Sequence, residues 1–199
     1  MRYGLAQRLT WQSAADTVRP MARRTPHSLS ELRSRAAEYL DEFTDPSEHY
    51  AFWHNELSNT ELNWGAFGEN FTTEGALDDK AVHIGDRFRI GSAEFVVTQP
   101  RMPCFKLGIR FGRADMVKRF LHSRRNGFYF SVAEEGEVAT GDSIEVLARD
   151  ENGVAVADIV DLYTADAAKQ DLLQRVSELP TLPENWRAYF RKRLWKPDA

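Results

Sequence analysis

The chain has 199 residues, a formal net charge of −4, 42% hydrophobic and 28% charged residues. This length favours one domain with at most a small appendage, able to bury roughly 70% of its unfolded surface. The composition excludes a disordered or fibrous chain. No apolar run approaches the ~18 residues of a membrane span, and the acidic balance argues against a general nucleic-acid binder.

Residues 1–35 hold seven arginines, no lysine and two acids, Asp16 and Glu31. This atypical Arg-rich segment, residues 1–44, reads as a surface extension, or as sequence altered by truncation or a shifted frame. An acid-poor presequence ranks below these, since no cleavage signal is evident. Ser28-Leu-Ser-Glu31 forms a capping box, and Leu29, Leu32, Ala36, Tyr39, Leu40 and Phe43 follow at helical spacing. A helix is therefore expected from Ser28 to Phe43. Pro46 should open a second helix carrying Tyr50, Trp53, His54 and Leu57.

From Trp64 the pattern becomes strands and turns. Arg87–Ile90 and Ala93–Thr98 flank Gly91-Ser92, a hairpin signature. Asp115 to His122 reads as a short helix. Phe128–Val132 and Ser143–Leu147 read as further strands. Short strands with regular turns point to a small β-barrel or sandwich over residues 45–150. Residues 151–199 read as a helical module. Thr164 is expected to cap a helix reaching Glu178, and a basic helix follows over Glu184–Leu194.

The chemistry centres on Thr98-Gln-Pro-Arg-Met-Pro-Cys-Phe-Lys-Leu107. Pro100 and Pro103 stiffen the loop around Cys104, and Arg101, Lys106 and Arg110 surround it with positive charge. Cations beside a thiol favour the thiolate, which ligates metals or attacks substrates. A buried structural cysteine is the plainer alternative. As the one cysteine of the chain, Cys104 excludes an internal disulfide, and a lone thiol suits a reducing compartment such as the cytoplasm. Gly65-Ala-Phe-Gly-Glu-Asn-Phe-Thr-Thr73 is a second candidate. Its glycines let backbone N–H groups converge on an anion, with Asn70, Thr72 and Thr73 as added donors. An ordinary turn between strands is equally compatible. The five histidines form no metal-ligand pattern, and His49 and His54 fall on different helix faces.

The ordered runs FGENFTTEG (67–75), VHIGDRFRIG (82–91), TQPRMPCFKL (98–107), NGFYFSV (126–132) and EGEVATGD (135–142) resemble a MOSC domain, named after the C-terminal domain of molybdenum-cofactor sulfurase. The likeness is greatest to the stand-alone YiiM-like branch. Residues 178–194 resemble that branch's C-terminal three-helix module. The resemblance implies a mainly β, MOSC-type barrel with flanking helices and a C-terminal α-helical module. It implies the molybdenum cofactor (molybdopterin), with Cys104 as the protein's ligand to molybdenum and as the catalytic residue. Asn70, Thr72, Thr73, Gln99, Arg101, Lys106 and Arg110 would contact the cofactor. At family level it also carries an association with pyridoxal phosphate binding.

The implied function is reduction of N-hydroxylated bases or related small compounds, with electrons from a separate reductase and no membrane or nucleic-acid partner. A non-catalytic cofactor or sulfur carrier using Cys104, or an inactive truncated member, are the alternatives. The family's His-Gly-Gly motif is not found before Pro46. The resemblance therefore leaves open whether the N-terminal part of the barrel and of the cofactor site is present.

Overall fold

The computed structural model describes residues 7–10, 41–75, 77–165 and 169–194, with backbone alone for 7–10 and 41–43. Among these residues there are seven strands: β1 (Gln7–Thr10), β2 (Asp41–Pro46), β3 (Phe71–Glu74), β4 (Arg87–Ile90), β5 (Ala93–Pro100), β6 (Phe128–Glu134) and β7 (Ser143–Ala148). Six helices accompany them among the described residues: α1 (Ser47–Glu56), α2 (Phe105–Phe111), α3 (Met116–Ser123), α4 (Val156–Thr164), α5 (Gln170–Glu178) and α6 (Glu184–Leu194). Strands β3-β2-β6-β5-β4-β7 form one curled sheet, and β1 pairs with both β3 and β7, closing it into a barrel. Every pairing is antiparallel except β2 with β3.

Closure answers the question of the N-terminal barrel edge. Two strands come from the first 46 residues, and β1 supplies the hydrogen bonds that an open edge would leave unpaired. The helix expected from Ser28 to Phe43 is overturned at its end, because Asp41–Pro46 is strand β2, paired on both sides. Inter-strand pairing outweighs the local helical spacing there. The rest of that expectation, including the Ser28 capping box, lies outside the described residues.

The β4–β5 hairpin forms as its pattern requires. Phe88 and Ile90 point inward, while Arg87 and Arg89 pair across the strands with Glu94 at 3.0 and 2.6 Å. Pro46, extended at ψ 136°, caps α1, so the helix starts one residue later than expected. Two helices escape the sequence patterns. Helix α2 is a short run stopped by Gly112 at φ +62°. Helix α4 buries Val156, Ala157, Ile159, Val160 and Leu162, an apolar run whose period cannot separate strand from helix. Thr164 ends α4 instead of capping a new helix, and its hydroxyl donates to the Val160 carbonyl at 2.8 Å. Among the described residues no helix is long and apolar enough to cross a membrane.

Among the described residues two apolar cores result. The larger fills the barrel and continues into the C-terminal helices, so Phe88, Phe95, Phe128 and Phe130 share one cluster with Leu173, Val176, Trp186 and Phe190. The smaller lies against one end and joins Tyr50, Trp53, Phe67, Leu107, Met116 and Phe120. It is aromatic at its centre, with Trp53 stacked on Phe120 at 5.6 Å. This second core packs α1, the Gly65–Asn70 loop, α2 and α3 together.

Phe130 is fully buried and touches the rings of Phe88, Phe95 and Phe128. Phe130→Ala is expected to cost about 3–5 kcal/mol, read as a fall in urea midpoint with an unchanged slope.

Candidate functional site

Strand register places the candidate residues at one end of the barrel. Thr44 lies opposite Phe71 and Phe128, and Phe128 lies opposite Pro100. One residue further along β2 and β3 come Asp45 and Thr72. One residue beyond Pro100 comes Arg101, whose N–H donates to the Gly127 carbonyl at 3.0 Å. Asp45, Thr72 and Arg101 therefore sit at the same level of the same rim, and Cys104 follows three residues on.

Arg101 ties the two motifs together. Its side chain is 9% exposed and donates from Nη2 to the Phe67 carbonyl at 2.7 Å. The guanidinium lies 4.9 Å over the Phe120 ring. Its own carbonyl accepts from Asn126 Nδ2 at 3.2 Å. Burial pulls Arg101 below its ordinary value, opposed by the charges of Tyr129, Asp45, Cys104 and Glu69. Beyond it, Met102 and Pro103 carry the chain outward to Cys104, which is exposed and extended and immediately precedes α2.

The glycine loop differs from its sequence reading. Gly65 and Gly68 take φ of +81° and +88°, values that only glycine adopts easily. The loop amides do converge on an anion, but the anion is the chain's own Glu69. Its carboxylate accepts from the N–H of Gly65 at 2.8 Å and of Phe67 at 3.1 Å. Tyr50 donates its hydroxyl to the same group and accepts from the Ala66 N–H at 3.0 Å. Thr72 Oγ1 donates to Glu69 Oε1 at 3.2 Å. The amides of Gly65, Ala66 and Phe67 are therefore already committed within the protein.

The other expected site residues divide. Thr72 and Thr73 are buried and Asn70 is exposed. Gln99 faces the C-terminal module, its Oε1 accepting from Trp186 Nε1 at 2.8 Å. Lys106 and Arg110 are exposed on α2, one turn apart. The hydroxyls of Thr44 and Thr73 and Asn126 Oδ1 are buried without a hydrogen-bond partner among the described residues. Native structures seldom bury such atoms unsatisfied, so a polar ligand or water suits this rim.

Sequence reasoning missed a buried ionisable network beneath the rim. His49 Nδ1 lies 2.7 Å from Asp45 Oδ1, and Nε2 lies 3.2 Å from Asp79 Oδ2. Burial lowers His49, but the hydrogen bond and charge of Asp45 and the charge of Asp79 carry it above its ordinary value. Burial lifts Asp79 to about 7, against the opposing charge of His49. Burial raises Glu69 as well, helped by the Asp45 charge. The spacing Asp45-x-x-x-His49 at a helix start was the available signal. Among the described residues no group of three or more His, Cys, Asp or Glu is placed to hold a metal ion by itself.

Comparison with known proteins matches two stretches of the chain to family models. The MOSC domain family matches residues 45–145, and the YiiM-like, 3-alpha helix domain family matches residues 154–196. The Bacillus subtilis protein YflK is 42% identical over 148 residues, 74% of this chain and 66% of that protein. The chain thus spans just under two thirds of that relative's length. A protein of Gibberella moniliformis named Reductase is 32% identical over 136 residues, 67% of this chain but 24% of that protein. The crystal structure of YiiM from Geobacillus stearothermophilus superposes with a TM-score of 0.72 at 33% identity, covering 76% of this chain and 77% of that one.

The raised acids and His49 all bind protons more tightly in the folded state, so stability should fall as pH rises from about 4 through 7. Asp79→Asn removes the buried charge and should raise the denaturation midpoint at pH 8 and flatten the profile. Parallel profiles for the two proteins would show that Asp79 does not titrate in this range.

Proposed function

The chain belongs to the MOSC domain family, in its YiiM-like branch, and we propose that it reduces N-hydroxylated bases or related small compounds with a molybdenum cofactor held around Cys104. The observation that carries this reading is the exposed Cys104 thiol, presented at the barrel rim beside the buried Arg101. The donor set fits the group. A single soft sulfur ligand suits a metal that arrives already coordinated by its own cofactor. The unpartnered polar atoms of Thr44, Thr73 and Asn126 at the same rim suit a polar, hydrogen-bonding ligand.

In this reading Cys104 ligates the metal, and the bound cofactor supplies two-electron redox chemistry. Asn70, Thr72 and Thr73 lie on the strand and loop that would meet the pterin, while Gln99 would contribute from β5, where its Oε1 accepts from Trp186. Lys106 and Arg110 add positive charge for its phosphate. Arg101 acts as a positioning residue, because its hydrogen bond to Phe67 and its contact with Phe120 set the loop on which Cys104 stands. The net reaction takes R–NHOH, two protons and two electrons to R–NH2 and water. The chain's one cysteine cannot by itself supply the ligands of an iron–sulfur cluster, and in this reading a separate reductase delivers the electrons. The fungal relative named Reductase supports a reductive role, since this chain matches part of it. The cytoplasm fits a protein with a single exposed thiol.

Molybdenum per protein, by elemental analysis after expression in a cofactor-producing host, tests the reading. Near-stoichiometric metal is expected, falling at least about tenfold in Cys104→Ala, together with loss of N-hydroxyl reduction driven by reduced methyl viologen. Metal and activity retained in Cys104→Ala would sink it. Sulfur transfer through Cys104 without N-hydroxyl reduction would instead establish the carrier alternative.

A further inference from the structure

Helix α2 begins immediately after Cys104 and presents an unusual surface. Phe105 is 69% exposed and Ile109 is 72% exposed, and four-residue spacing sets them side by side. No other large hydrophobic side chain of the described residues is exposed beyond 41%. Single exposed apolar residues are ordinary, but two adjacent ones bordered by charge mark a contact site. The border is strongly one-signed. Residues 105–125 hold seven Lys and Arg and one acid, Asp115, in a chain whose net charge is −4. Three of the arginines are neutralised, Arg113 by Asp115 at 3.0 Å, Arg119 by Glu56, and Arg124 by Asp161 at 2.6 Å. Lys118 forms no ion pair among the described residues, nor do Lys106 and Arg110, the two cations assigned above to the cofactor's phosphate, so Lys118 and the basic excess of α3 carry the charge toward a partner.

We infer that the α2–α3 face docks a protein with an acidic rim around an apolar pocket that receives Phe105 and Ile109. Under the function proposed above, on which this identity rests, that protein is the electron donor. The charge pattern selects the occupant. A second copy placed face to face would set like charges against like, which disfavours association. The apolar pair has no use against a nucleic-acid backbone. A seven-residue helix offers too small an apolar face for a bilayer. An acidic protein satisfies both features, with opposite charge steering the encounter and the apolar pair slowing release. The position also suits electron delivery, since Phe105 is the residue next to Cys104.

The test uses flavodoxin, a small acidic flavoprotein, as the docking probe and reduced methyl viologen as a donor that needs no docking face. The full chain should bind flavodoxin, and affinity should fall steeply between low and moderate salt. The double variant Phe105→Ser, Ile109→Ser changes only exposed side chains. It should weaken binding at least about tenfold and cut flavodoxin-driven reduction equally, while methyl-viologen-driven reduction stays within about twofold. No binding by the unsubstituted chain, or binding unmoved by the double variant, overturns the inference. So does a variant whose sole effect is to dissociate a dimer, or to release the protein from phosphatidylglycerol vesicles. Absence of methyl-viologen-driven reduction in the unsubstituted protein would refute the proposed function separately, leaving the binding measurement to judge the docking face alone.

Discussion

A buried guanidinium organises the end of the barrel that carries Cys104. Arg101 leaves strand β5, reaches the Phe67 carbonyl and lies over Phe120. Burying a cation is costly unless hydrogen bonds and opposite charge compensate. Here the compensation comes from three separate parts of the chain, because Phe67, Phe120 and the facing charges of Asp45 and Glu69 belong to different elements. All of them must be in place for the guanidinium to sit buried in this position. The same requirement fixes the route of the chain from β5 to Cys104.

The glycine loop illustrates how a motif can be used internally. Its amides gather at one point, as the glycines allow, yet the charge at that point is Glu69. Tyr50 closes the arrangement from α1. The loop is thereby preorganised by the protein's own carboxylate, and what it offers outward is its shape and its flanking side chains. A rigid rim of this kind is what a ligand site needs, since support from a second layer of contacts holds the first in position.

Beneath the rim the protein concentrates ionisable groups in a small buried volume. His49 lies between Asp45 at 2.7 Å and Asp79 at 3.2 Å in a region that burial has made unfavourable for charge. On the opposite, outward side of the loops the charge is positive and solvated. The barrel end is thus layered, with acidic groups inside, the Arg101 cation at the boundary and a basic helical surface outside. That separation keeps the rim cation balanced from within while leaving positive charge available to anions or acidic partners from without.

Much of this was legible in the residues. Alternating Phe88 and Ile90 around Gly91-Ser92 could only be a hairpin strand, because a two-residue period leaves one face apolar. The tail's periodic Trp186 and Phe190 were equally clear, as was the stiffened loop around Cys104. Tertiary structure decided what local pattern could not. Asp41–Phe43 became strand because β6 lends hydrogen bonds that helical spacing cannot foresee. The acceptor of the glycine-loop amides, the partner of Arg101 and the meeting of Asp45, His49 and Asp79 depend on contacts between residues far apart in the chain. A sequence carries the period of its own side chains, which sets local elements. Which buried charges must face one another is known only once the barrel has closed and removed the water that would otherwise have solvated them.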